Sequence, residues 1–298
     1  MDSNYSLAPQ AEAVGVRRPR LLLKNVYSLY RNEFPRWFGI TAPTSLLAAA
    51  VLWTADQRIK AISRSISPLE MKHHFAEIAG AMILRFGSFF LSWLLGCFAL
   101  AAIATVVNRL DDEDVDSVWR HDSHQRAREN FRALVLAALF TFSAFLAGMV
   151  VAALVELAAV RAMGWPHFSR FSYGVGLAAY VVIASIVSWF GMTIPIVIRG
   201  NDGVWGALKK SVELSNGYEG ALFWLVVQSV AGSFVAWYAT YYGLRLFFPT
   251  HLRYTLWYGW LVYIVAVLAS AAVEPPIFIG FSLLADPERL NLSSLPGS

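Results

Sequence analysis

Apolar residues in this chain run on without interruption, and formal charges mark where each run stops. Between Arg36 and Asp56 lie 19 charge-free residues, with 23 between Arg85 and Arg109 and 23 between Arg132 and Glu156. The runs from Arg170 to Arg199, Glu219 to Arg245 and Arg253 to Glu274 enclose 28, 25 and 20. Each exceeds the roughly 18 residues needed to cross about 30 Å of hydrocarbon at about 1.5 Å per residue. A soluble helical bundle would need a polar face on every helix, and the stretches 133–155 and 185–198 carry none. A membrane β-barrel would need short segments alternating apolar and polar. The pattern therefore predicts an all-α polytopic integral membrane protein with six transmembrane helices.

Two shorter segments have helical periodicity instead. Leu22, Val26, Leu29 and Tyr30 share one face, with Lys24, Asn25 and Arg31 on the other. This predicts a short amphipathic helix whose apolar stripe lies in the lipid interface before Pro35 redirects the chain into the first span. Val204, Leu208 and Val212 repeat the arrangement after the fourth span, opposite Lys209, Lys210, Glu213 and Asn216, and Gly217 ends it. The expected organisation is a flexible cytoplasmic tail over residues 1–19, a six-helix domain with interfacial elbow helices over 20–285, and a second cytoplasmic tail over 286–298.

Composition narrows the class further. Of 298 residues, 57% are hydrophobic and 15% charged, against about 25% charged in soluble proteins, which excludes a soluble enzyme of ordinary build. In a six-span scheme, 15 of the 24 Lys and Arg residues fall on the side of the N-terminus. The positive-inside rule then places both termini of this multi-pass chain in the cytoplasm. Trp237, Tyr238, Tyr241, Tyr242, Trp257, Tyr258 and Trp260 form an aromatic belt at the outer ends of the last two spans. The first twenty residues hold no long apolar stretch, so the first span is expected to act as its own uncleaved insertion signal. The single cysteine, Cys97, lies in the second run and reads as a small packing residue.

Candidate chemistry is sparse. His121 and His124 follow the acidic run Asp111–Asp116, but the spacing matches no metal-binding loop, and the segment reads as a hydrated loop. His73 and His74 read the same way. Arg85 marks the outer boundary of the second span. No nucleophile elbow, zinc motif or phosphate-binding loop is present. The chain is therefore expected to be non-enzymatic, with no cofactor, metal or nucleic-acid partner; membrane lipids and a protein partner in the bilayer are the expected contacts. One charge stands apart. Glu274 immediately precedes Pro275 and Pro276, whose rings free backbone carbonyls from helical bonding. A carboxylate there can bind a proton, a cation or a lipid amine, pair with an arginine, or mark the inner edge of the helix. Pro195 stands in a similar place in the fourth run, as Ile194-Pro195-Ile196-Val197-Ile198 against Pro275-Pro276-Ile277-Phe278-Ile279. Asp116-Ser117-Val118-Trp119 and Asp202-Gly203-Val204-Trp205 are a second echo, consistent with an internal repeat or with chance.

The stretch Pro195-Ile-Val-Ile-Arg-Gly-Asn-Asp-Gly203, followed by Ala207-Leu-Lys-Lys-Ser211-Val-Glu-Leu214-Ser-Asn-Gly217, resembles the membrane domain of glycerophosphoryl diester phosphodiesterases. That family shows a proline-ending helix, a glycine and an Ala-Leu-x-x-Ser-x-x-Leu-x-x-Gly elbow leading into the next span. Leu-Tyr-Arg-Asn-x-Phe within residues 21–38 is similar to its N-terminal amphipathic helix. The resemblance implies a stand-alone membrane domain. The catalytic barrel with its His-Arg-Gly signature is absent, and Leu284-Ala285-Asp286-Pro287-Glu288-Arg289 replaces the family's closing Tyr-Asp-x-Arg pattern. No catalytic residue is transferred. An accessory or lipid-associated role follows, with a small-molecule or ion transporter working through Glu274 and the prolines Pro195, Pro275 and Pro276 as the alternative.

Overall fold

Helices account for the apolar runs in the computed structural model, which describes residues 19–65, 74–109, 125–163, 184–200, 203–251 and 256–286. In chain order they are α1 (Pro19–Asn32), α2 (Phe34–Ser65), α3 (Phe75–Val107), α4 (Gln125–Glu129), α5 (Phe131–Met163), α6 (Thr193–Arg199), α7 (Val204–Ser215), α8 (Glu219–Phe247), α9 (Leu256–Val273) and α10 (Pro275–Leu284). Five stretches are long and apolar enough to cross a membrane: Phe34–Ile62, Phe75–Val107, Phe131–Val151, Glu219–Phe247 and Trp257–Leu284. The chain is thus a helical multi-pass membrane protein. The fourth run is described only over Ala184–Arg199, a shorter apolar helix interrupted at Gly191 and Met192. The tail before Pro19, His73, the acidic run at 111–116, Trp119, His121, His124, Asp202 and the tail from residue 287 lie outside the described residues.

Helices outrun the charge-free windows at both ends. α2 continues past Asp56 to Ser65, and α3 starts ten residues before Arg85. Arg85 therefore does not open its helix. It pairs with Asp56 at 3.8 Å, stands over the Phe89 ring at 5.6 Å, and Asp56 also holds Lys60 at 2.6 Å. The sixth run likewise does not end at Glu274, because apolar α10 carries the span on to Leu284.

The two amphipathic helices pack differently from expectation. The apolar stripe of α1 lies against protein, not lipid: Leu22 and Val26 are fully buried and Leu29 nearly so, within the main core cluster. Trp37, just past the one-residue joint at Glu33, donates its indole N–H to the Leu29 carbonyl at 3.0 Å and so closes the end of α1. In α7 the buried stripe is Ala207, Leu208, Ser211 and Ser215, one step round from the expected one. Val212 is exposed, as is Trp205.

The core is concentrated at one end of the bundle. It joins α1, residues 97–107 at the end of α3, the start of α5, α6, the start of α8, and α10. The ends of three helices meet there on one guanidinium. Arg199 closes α6, donates to the Asn108 side chain that caps α3 at 3.0 Å and to the Ala285 carbonyl that caps α10, and pairs with Asp286 at 2.6 Å. Helix C-termini carry partial negative charge, so a cation shared among three of them is well placed. At the opposite end, large apolar side chains such as Leu154, Tyr242 and Trp257 face outward. Of the seven expected belt residues, Tyr258 is buried, Trp260 packs on Trp53 with centroids 4.8 Å apart, and Trp237 meets Tyr263, itself packed on Trp53, at 5.5 Å.

Candidate functional site: an intramembrane cavity at Glu274

The break between α9 and α10 begins with chemistry. Pro275 and Pro276 supply no N–H, so the carbonyls one turn back, on Ala271 and Ala272, lose their helical partners. Both are met by side chains from other helices. Thr41 of α2 donates to the Ala271 carbonyl at 2.9 Å, and Tyr30 of α1 donates to the Ala272 carbonyl at 2.7 Å. Burial pushes the Tyr30 phenol up from its ordinary value, so the hydroxyl keeps the proton it donates. The freed carbonyls are thus engaged by protein donors.

A second broken helix lies alongside. The turn at Gly191 and Met192 precedes α6, in which Pro195 is the third residue. Ser211 of α7 donates to the Trp189 carbonyl at 2.7 Å, bracing the turn before the break. The Phe281 ring of α10 presses onto Gly191 so closely that a Cβ there would lie 2.2 Å from the ring. The sequence-predicted prolines Pro195, Pro275 and Pro276 thus stand in the first turns of two short helices, and Phe281 of α10 packs on the turn that precedes α6.

Glu274 stands at the head of α10, at membrane depth. It lies within the Trp257–Leu284 span, ten residues or about 15 Å along a helix from its last residue. A charged side chain near that depth costs about 2.5–3.5 kcal/mol. Among the described residues its side-chain partner is Ser45, whose hydroxyl donates to Oε2 at 3.3 Å. Among the described residues, no Lys or Arg is within ion-pairing distance of it, and no group of three His, Cys, Asp or Glu residues is placed to hold a metal.

Two cavities meet at this carboxylate, and both also touch Ser92 and Gly96. The first, about 250 Å³, lies among α2, α3 and α9 and is lined on its polar side by Thr44, Ser45, Ser92 and Ser270. The second, about 380 Å³, lies among α3, α5, the interrupted fourth helix and α10, and is walled by Trp93, Phe142, Phe145, Phe190, Phe278 and Phe281. Trp93 is fixed by its indole N–H to Thr141 at 3.1 Å and by packing on Phe145 at 5.2 Å. Cys97 is buried against this second space. A third cavity, about 400 Å³, begins at Asp56 and Arg85 and shares Leu52, Trp237 and Tyr263 with the first. The Trp237 and Tyr263 rings, packed edge to face at 5.5 Å, form a wall common to the two spaces.

Glu274 was visible in the sequence as a charge at the end of an apolar run; its polar neighbours were not. Ser45, Ser92 and Ser270 are single hydroxyls in three different spans. Pro43, inside α2, was an available signal, since it marks an irregular turn beside Thr41, Thr44 and Ser45. No protein-family model matches the chain, and neither a curated protein nor a solved structure matches it.

Proposed function

We propose that this chain is a non-enzymatic, six-helix protein of the bacterial inner membrane that holds a lipid-like molecule within the bilayer, in an accessory role, with both termini in the cytoplasm. The observation that carries the reading is the aromatic-walled space of about 380 Å³ with one carboxylate at its edge. Its size falls in the range of small-molecule sites, which are mostly apolar with a few polar groups to orient the ligand. The six-span scheme is supported by the convergence of α1 with the ends of α3, α6 and α10, which that scheme places on one side. Likeness to the phosphodiesterase membrane domain draws support from Gly200 and Gly217, whose φ values of 78° and 84° put the two elbow glycines in the left-handed region. The test is mild extraction followed by native mass spectrometry. A defined amphipathic molecule retained in stoichiometric amount is the expected result; a chain carrying only bulk lipid would count against the reading.

A second reading, transport of a small molecule or ion, is favoured by the two interrupted helices beside an intramembrane carboxylate, an arrangement found in transporters. It requires that Glu274→Gln abolish uptake into reconstituted vesicles, and unchanged flux would remove the residue from any such mechanism.

A further inference from the structure

We propose that the site at Glu274 selects a single-chain cationic amphiphile: an ammonium group held by Glu274 and the neighbouring serine hydroxyls, with its alkyl chain in the aromatic cavity. The inference rests on the binding reading above and adds the charge and class of the ligand. Three observations lead to it.

The first is an imbalance of charge. Glu274 borders both cavities, and among the described residues no Lys or Arg lines either one. Carboxylates at membrane depth ordinarily pair with a cation or a backbone group. Here the protein offers one serine hydroxyl. A ligand cation would complete the pair.

The second is an orphaned acceptor. Ser270 of α9 lies four positions before Glu274 and lines the polar cavity with it. It is 8% exposed, and its hydroxyl oxygen has no hydrogen-bond partner in the structure. An ammonium carries three donors, and the carboxylate, Ser270 and Ser45 together present acceptors to match.

The third is the division of the space. The carboxylate sits where a hydroxyl-lined cavity meets an aromatic-lined one, so a ligand must be polar at one end and apolar along the rest. A diacyl aminophospholipid shares the ammonium but brings a phosphate. That phosphate would lie near Glu274 with no basic side chain among the described lining residues to receive it. This favours a single-chain amine over a membrane lipid.

The experiment uses the full chain in detergent, with dodecylamine, dodecanol, dodecanoate and a phosphatidylethanolamine as probes, and counts bound molecules by native mass spectrometry. Dodecylamine should bind roughly ten- to a hundredfold more tightly than the alcohol, as expected for a charge-assisted contact, with dodecanoate weaker still. Glu274→Gln should erase the preference for the amine while leaving dodecanol binding in place. Gly96→Leu gives a second handle, because Gly96 lines both cavities and an added Cβ there would meet nothing within 4 Å. It should displace every alkyl probe without touching the carboxylate. Equal binding of amine and alcohol to the unmodified chain, or a preference that survives Glu274→Gln, would overturn the cationic class and leave the binding reading standing. Phosphatidylethanolamine displacing dodecylamine would overturn the single-chain class. Retention of none of the probes, or retention unaffected by Gly96→Leu, would overturn the binding reading and this inference with it.

Discussion

Pro275 and Pro276 remove two backbone N–H groups from the middle of a span, where hydrocarbon offers no water in their place. Thr41, fully buried, and Tyr30 supply the missing donors. Replacing Thr41 by Val keeps the shape and leaves the Ala271 carbonyl without that bond, so thermal denaturation in detergent should show a loss of about 1–3 kcal/mol. The same substitution should cost much less beside Pro275→Ala, which returns a backbone donor to that carbonyl. Measured as a double-mutant cycle, the two changes should couple; strict additivity would mean that Thr41 acts by packing alone. Gly191 shows the opposite constraint, a position where the lack of a side chain admits a neighbour's ring. Sequence showed the prolines but not what answers them, because the donors lie 242 and 230 positions away in the chain.

At the scale of elements, α1 is the informative case. Its stripe of Leu22, Val26 and Leu29 has the spacing that an interfacial helix would have, and periodicity cannot say whether an apolar face meets lipid or protein. Both are equally apolar, so the same sequence pattern serves either. Burial decides for protein. Leu22→Ala should therefore destabilise the fold by about 2–5 kcal/mol, the cost of a cavity in a packed core, whereas a lipid-facing leucine would cost little. The midpoint of thermal unfolding by light scattering distinguishes the two. The spans themselves were legible because an uninterrupted apolar run has only one stable outcome in hydrocarbon. Their limits were less so: α2, α3 and the α9–α10 span each pass through charges that the runs treat as boundaries. Long side chains such as Arg85 and Lys60 reach outward from a helix while the backbone continues. The site divides in the same way. Glu274 stood out against an apolar run, while Ser45, Ser92 and Ser270 acquired meaning only when three spans were packed side by side.

Across the whole molecule, packing is uneven. One end holds the core cluster and the guanidinium that joins α3, α6 and α10; the other holds outward-facing aromatics and the cavities near Asp56. Arg199→Lys preserves the charge but cannot reach the Asn108 side chain, the Ala285 carbonyl and Asp286 together, since an ammonium lacks the planar fork. Stability should fall by about 1.5–3 kcal/mol, the range for hydrogen bonds to charged groups, read as a lower temperature of aggregation after heating. A drop no larger than that of a distant surface Arg→Lys change would show that the junction contributes no more than its charge. The junction also bears on how an occupant would arrive. With α3, α6 and α10 tied together at one end, parting them there would break the Arg199 contacts, so an occupant of the Glu274 cavities would more easily arrive from the far end of the bundle. The protein would then behave as a cup rather than a corridor, filled and emptied at its rim.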